Sequence, residues 1–232
     1  MPLVTLATDY GDTSPYVAML KGRLLSLCPE ARLVELTHHL PGEDLFGAAL
    51  FLLRACFYYP AGTIHLIGLD RGDGPDRALV AEAAGQRLVA MDTGVLGLAL
   101  EHAREVTVRA VEVVNRGPFT ARDVLARLAL GQGGEGERCE DWTRLCLPVE
   151  PQVIHVDGYG NLISNVLPGE QMVSEVWVGG CRITAHHGHF GCARAGDLFW
   201  YWGAEGWLEI GLARGSAAAR LGAGRGTPVE VR

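Results

Sequence analysis

The sequence predicts an α/β chain in two parts: a mostly parallel sheet flanked by helices, then a small antiparallel β-barrel. Three observations carry this. The first half alternates short β-prone runs with segments of helical spacing. The glycine-rich stretch Gly131–Glu137 (GQGGEGE) breaks the composition. Beyond Val149–Glu150–Pro151, short alternating runs separated by glycines replace helical periodicity. The expected division is an N-terminal Rossmann-like domain over residues 1–148 and a C-terminal barrel over 149–232.

Leu3–Thr8 is apolar and β-prone and ends in the turn signal Asp-Tyr-Gly-Asp. Pro15–Cys28 places Val17, Leu20, Leu24 and Leu27 at helical spacing, and Pro29 stops it. Arg32–Thr37 reads as a second strand. Asp44–Tyr58 reads as a helix with Leu45, Ala48, Ala49, Leu52 and Cys56 on one face. Thr63–Leu69, Ala78–Ala83 and Leu88–Met91 read as strands, and Val95–Arg104 and Thr120–Leu130 as helices. This order argues for parallel strands with helices on both faces. In the second half the expected strands are Val153–Val156, Leu162–Val166, Ser174–Val178, Leu198–Trp202, Trp207–Ile210 and Pro228–Val231, with one helix at Ser216–Leu221.

Composition narrows the function classes. Hydrophobic residues are 48% and charged residues 20% of 232, enough apolar chain for a core and too much for disorder. A net charge of −7, a pI near 5.6 and no basic run argue against nucleic acid as a partner. No apolar run reaches 18 residues, and the N-terminus lacks a basic region followed by an apolar stretch. A cytoplasmic protein without membrane partners is the expectation. None of the six cysteines forms a CxxC pair, so thiols are expected, with Cys28 and Cys56 buried. Cys139 and Cys146, beside the expected boundary, leave a disulfide open.

Ligands of open α/β sheets bind beyond the carboxyl ends of the strands. Four polar turns fall there: Asp9–Asp12, Thr37–His39, Asp70–Arg77 and Asp92–Gly94. Acidic residues in the first could hold a ribose diol or cap the next helix. Asp70–Arg77 is glycine-rich and joins a carboxylate to a guanidinium, as a working pair or as a structural turn. It is neither a Walker loop nor GxGxxG. His186–His189 (HHGH) offers metal ligands but lacks partners at characteristic spacing, and an exposed hairpin loop is favoured over zinc. His65 alternates with apolar neighbours and reads as a satisfied core residue. Asp157, Tyr159 and Asn161 would share one side of a strand and grip a zwitterion, or else form a β-turn. Spacing favours the turn.

Seven segments in order resemble one family: TDYGDTSPYVAMLKG (8–22), ELTHHL (35–40), GTIHLIGLDRGDGPDR (62–77), MDTGVLGLAL (91–100), GPFTARDVLARLA (117–129), DGYGNLISNV (157–166) and GWLEIGLARGSAAARLG (206–222). The chain resembles the S-adenosyl-L-methionine (SAM) hydroxide adenosyltransferases, relatives of the SAM-dependent fluorinase and chlorinase. The resemblance implies a homotrimer with sites at subunit interfaces, and attack of water on the ribose C5′ of SAM without metal or cofactor. It implies substrate contacts at Asp9, Tyr10, Asp92, Thr93, Asp157, Tyr159, Asn161, Ala204 and Glu205. It implies that Asp70 and Arg77 match two members of an Asp-Arg-His catalytic set.

Thr120 stands where the family has that histidine, in Pro118-Phe-Thr-Ala-Arg-Asp123. Arg71, Asp73, Thr93 and Gly203-Ala204 also depart from the family pattern. Loss of a positioned acid–base group costs roughly 10²–10⁴ in rate. Three readings follow: a slow hydrolase using Asp70, Arg77 and Thr120, or a substitute such as His38; an adenosyl-binding protein without turnover; and a halide-using relative. The last is disfavoured because Val106 follows Met91–Leu100 too soon for the fluorinase insertion.

Overall fold

The computed structural model describes residues 1–69, 75–114, 117–134, 136–169 and 173–232. The chain divides into two compact units, Met1–Cys146 and Leu147–Arg232.

The first unit is a seven-stranded sheet. Its strands are β1 (Leu3–Thr8), β2 (Arg32–Thr37), β3 (Ile64–Gly68), β4 (Arg77–Ala83), β5 (Gln86–Met91), β6 (Thr107–Glu112) and β7 (Glu137–Arg138), in the order β2-β1-β3-β5-β4-β6-β7. The larger part, β2-β1-β3-β5, is parallel; β4, β6 and β7 join antiparallel. Direction reverses because Ala84 (φ 50°) and Gly85 (φ 75°) both adopt left-handed backbone between paired Ala83 and Gln86. That is the two-residue hairpin turn whose twist matches the flanking strands. Two strands of this sheet, β6 and β7, lie outside the sequence expectation, as does Cys181–Ile183 in the second unit; edge strands of two or three residues carry no period to detect.

Helix α1 (Pro15–Leu27) starts where Ser14 Oγ accepts the Tyr16 N–H at 3.2 Å and Pro15 sets the first turn. Helix α2 (Leu45–Ala55) starts where Asp44 Oδ1 accepts the Gly47 N–H at 3.1 Å. Helix α3 (Gly97–His102) is shorter than the predicted Val95–Arg104. The predicted helix 120–130 is a wide π turn, Ala121–Leu125, running into α4 (Ala126–Ala129). Side chains of the parallel strands alternate between two cores. Val4, Leu6, Leu66 and Val89 meet α1 and residues 121–129. Ala7, Ile67, Leu88 and Ala90 meet α2 and α3.

Among the described residues no helix is long and apolar enough to cross a membrane. All six cysteines are free. Cys56 is enclosed, and burial pushes its thiol up to about 12. Cys28 is only half-buried, unlike the expectation, because it caps the end of α1.

The second unit holds two antiparallel sheets. One contains β8 (Val153–Val156), β9 (Leu162–Ser164), β12 (Leu198–Trp202) and β13 (Leu208–Leu212), in the order β12-β13-β9-β8. The other contains β10 (Val176–Val178), β11 (Cys181–Ile183) and β14 (Val229–Val231), in the order β11-β10-β14. Helix α5 (Ala217–Leu221) and residues from both sheets share one apolar core.

His65 is a satisfied core residue. Its Nδ1 lies 2.6 Å from Thr5 Oγ1 and its Nε2 3.0 Å from Gln86 Oε1. The amide oxygen can only accept, so Nε2 carries the proton, and with the Thr5 hydroxyl donating to Nδ1 the ring is neutral. Burial holds its pKa below the ordinary 6.5. The unfolded chain therefore binds a proton that the folded imidazole resists, and stability falls as pH drops below about 6.5. His65→Leu is expected to lose about 1–3 kcal/mol at pH 7.5, by stranding Thr5 and Gln86. Urea midpoints at pH 7.5 and 5.5 should also show a smaller acid loss than in the unaltered chain.

Candidate active site

In the first unit the chain passes from β1 out to β2 and returns on the other side of β1 as β3. The switch point therefore lies between β1 and β3, where open α/β sheets hold ligands. The end of β1 leads into Asp9 and Tyr10. The end of β3 leads towards Asp70, which lies outside the described residues, as do Arg71 and Asp73. Because β4 runs antiparallel, its first residue, Arg77, sits beside the end of β5, where Asp92 N–H donates to Arg77 O at 3.0 Å. Strand β6 ends at the same edge, paired to Arg77 through Glu112, and leads on to Thr120. Asp9, Tyr10, Arg77, Asp92, Thr93 and Thr120 thus gather at one end of the sheet.

Asp9 sits close under Gly42, where a Cβ would lie 3.0 Å from its Oδ2. Tyr10 packs edge-on to Phe119 at 5.5 Å, and Tyr16 closes the aromatic group at 5.0 Å from Phe119. Phe119 brings the following Thr120, 3% exposed, beside the Asp9 loop. Thr93 is buried, and its hydroxyl has no hydrogen-bond partner among the described residues.

Asp92 is fully enclosed. Arg77 Nε donates to its Oδ2 at 2.8 Å, and Thr143 N–H donates to its Oδ1 at 2.8 Å. Both oxygens are engaged, so the expected ligand contact becomes an indirect one: Asp92 orients Arg77. The guanidinium also donates from Nη1 to Asp141 Oδ1 (3.2 Å) and from Nη2 to Asp141 O (3.0 Å). Among the described residues three of its five N–H groups are used. The hydrogen bond that Arg77 donates to Asp92 raises the Arg77 pKa further. The Cys139 thiol and Arg77 hold Asp141 below the usual carboxylate range. Sequence reasoning missed Asp141 and Thr143 because nothing in their spacing links them to the sheet.

In the second unit, Asp157–Asn161 is a turn between β8 and β9, not a strand face. Asp157 Oδ1 accepts N–H groups of Tyr159 and Asn161, both at 2.9 Å, and Oδ2 accepts Asn161 Nδ2 at 2.8 Å. Gly160 takes φ +83°, and a Cβ there would lie 2.1 Å from Ser216 Oγ. The turn opens on a cleft of about 660 Å³ lined by Asp157, Tyr159, Asn161, Phe190, Leu212 and Arg214. Arg214 adopts φ +62°, a left-handed backbone rare for a non-glycine residue. Ala204 and Glu205 lie in the turn from β12 to β13, at the opposite end of that hairpin from Leu212. Five residues of strand, roughly 17 Å, separate them from the cleft.

The histidines of HHGH diverge. His186 stacks on Trp200 at 4.1 Å, and His189 accepts the Gly191 N–H and meets Cys192 Sγ at 3.4 Å. Among the described residues no group of three or more His, Cys, Asp or Glu could hold a metal.

Models of the SAM hydroxide adenosyltransferase N-terminal and C-terminal domains match residues 4–140 and 151–230. The chain belongs to this family. It is 33% identical to the (R)-S-adenosyl-L-methionine hydrolase of Thermus thermophilus, over 98% of each chain. It is 31% identical to the hydrolase of that name from Salinispora tropica, over 99% of this chain and 97% of that one. A fluorinase from Actinoplanes matches at 30% over only 27% of this chain and 21% of its own length. A solved structure of a conserved hypothetical protein from Thermus thermophilus superposes with a TM-score of 0.81 at 34% identity, covering both chains in full. An uncharacterized conserved protein from Thermotoga maritima gives 0.83 at 26% identity, over 99% of this chain and all of that one.

Two substitutions probe how this family member holds its site. Asp92→Asn sets an amide N–H against Arg77 Nε or Thr143 N–H and breaks a buried ion pair, so a loss on the order of 3 kcal/mol is expected. Gly160→Ala drives a methyl group into Ser216 and should cost about 1–3 kcal/mol. Denaturant midpoints measure both.

Proposed function

We propose that the protein is a SAM hydrolase: water attacks the ribose C5′ of SAM and releases adenosine and L-methionine. The full-length 33% identity to a protein of that name carries this reading. The gathering of carboxylate, guanidinium and hydroxyl groups at one end of the sheet supports it. In the reaction an O–C5′ bond forms as the C5′–S bond breaks. The sulfonium leaves with the bonding pair as the neutral thioether of methionine, and water gives up one proton. Such a leaving group needs no Lewis acid, so the reaction is proposed to need no metal or cofactor. Positioning and a dry site supply most of the rate.

Asp9 is the proposed partner of the ribose hydroxyls, with Tyr10 and Thr93 beside it. Arg77, aimed by Asp92, turns its guanidinium to the reacting oxygen. Thr120 orients the water, and Asp70 takes its proton. Thr has no titration near neutral pH, so it holds the water without acting as a base. Asp157, Tyr159 and Asn161 are proposed to grip the methionine end, with Ala204 and Glu205 as further contacts. We further propose that the second unit closes into a barrel, and that the protein is a cytoplasmic homotrimer whose sites lie at subunit interfaces.

Incubation with SAM in H₂¹⁸O tests the reading. Adenosine and methionine should appear in equal amounts, with the label on the 5′-hydroxyl. Release at the background rate would overturn it, and tight adenosine binding without turnover would make the protein an adenosyl-binding relative. Thr120→His should raise kcat by about tenfold or more, since a positioned acid–base group is worth at least that.

A further inference from the structure

We propose that His38 is a positioning residue for adenosyl binding, locking the loop that carries Asp9 through its neutral imidazole with the proton on Nε2. The inference rests on the ribose-binding role proposed for Asp9. Strand β2 carries an extra residue where Leu6↔Glu35 is followed by Ala7↔Thr37. Such a bulge re-aims the chain beyond it. His38 follows and is 2% exposed. Its Nδ1 lies 2.8 Å from Thr8 Oγ1, and its carbonyl accepts the Gly11 N–H at 2.7 Å. Leu40 N–H donates to Thr8 O at 2.9 Å. Residues on both sides of Asp9 are thus tied to 38–40.

The tautomer follows from Thr8. Its side chain is fully enclosed, and its Oγ1 accepts the Tyr10 N–H at 3.4 Å. The hydroxyl hydrogen has one recorded acceptor among the described residues, His38 Nδ1. A proton on Nδ1 would leave that hydrogen buried without a partner, so the lock requires Nδ1 bare. Nε2 then carries the proton, and it makes no hydrogen bond among the described residues. An apolar side chain would fill the space without that cost. What the ring contributes is its Nδ1 acceptor.

The surroundings keep the ring neutral. Burial acts most strongly, then Lys21 on α1, with His39 adding to it and Asp12 opposing. Glu35 Oε2 lies 3.9 Å from Nε2, and the other oxygen of Glu35 is bound by Lys21, the only lysine in the chain. Together these hold the His38 pKa below its ordinary value. Acid protonates Nδ1, turns Thr8 away and frees the Asp9 loop.

The test combines ¹⁵N-imidazole NMR of the unaltered chain with KM and kcat for SAM between pH 5 and 8. The spectrum should show His38 with its proton on Nε2 and Nδ1 accepting at pH 7.5. KM should rise about tenfold in acid while kcat changes less. His38→Asn keeps an acceptor near the Nδ1 position and cannot titrate, so its KM should match at pH 7.5 and lose the acid rise. His38→Leu should raise KM at every pH. A proton on Nδ1 at pH 7.5, or an Asn variant that keeps the acid rise, would overturn the proposal. Failure of the hydrolase reading shows separately, as absence of SAM turnover by the unaltered chain at pH 7.5. The imidazole spectrum then still decides for or against the lock.

Discussion

A carboxylate with no exposure to water must have every oxygen engaged, and Asp92 meets that condition by joining three parts of the chain. Its Oδ2 takes Arg77 Nε from the first residue of β4, and its Oδ1 takes the Thr143 N–H from the segment after β7. The backbone of the same residue pairs with Arg77 O. One buried charge therefore fixes the β4–β5 edge, the course of residues 139–143 and the aim of the guanidinium. Charges buried this way add little net stability. What Asp92 supplies is geometry: it holds Arg77 from one side.

The second unit uses the same device on a smaller scale. Asp157 spends its carboxylate on its own turn, accepting three N–H groups from Tyr159 and Asn161. A carboxylate so occupied shapes the cleft before it meets any ligand. Tyr159, 85% exposed, is the side chain that the turn leaves outward. Gly160 admits Ser216 at a distance no Cβ would allow, so the turn and the start of α5 are built as one piece.

Much of this was legible in the sequence. Strands β1 and β2 and the helix pair around them follow from apolar spacing and Pro29, because local chemistry and burial agree there. The polar turns at Asp9–Asp12, Thr37–His39 and Asp92–Gly94 fall at the ends of β1, β2 and β5 for the same reason. What escaped depends on partners far away in the chain. Among the described residues the side-chain partners of Arg77 are Asp92 and Asp141, 15 and 64 positions on, separations that no local pattern signals. Strand β4 reads like its neighbours, and its reversal depends on two residues, Ala84 and Gly85, at positive φ. The turn at Asp157–Asn161, by contrast, was the reading that spacing favoured, and Gly160 at φ +83° closes it.

The absence of a histidine at position 120 takes on a definite meaning in this setting. Thr120 is buried next to Phe119, whose ring is enclosed by Tyr10 and Tyr16. An imidazole placed there would be held neutral by burial, as His65 is, or would have to be paired with a charge. A hydroxyl carries no such demand. It can hold a water by hydrogen bonding at any pH the fold tolerates. Displacement of a sulfonium asks mainly for alignment of water, C5′ and sulfur. On the proposed reading, the exchange of histidine for threonine gives up proton transfer and keeps orientation.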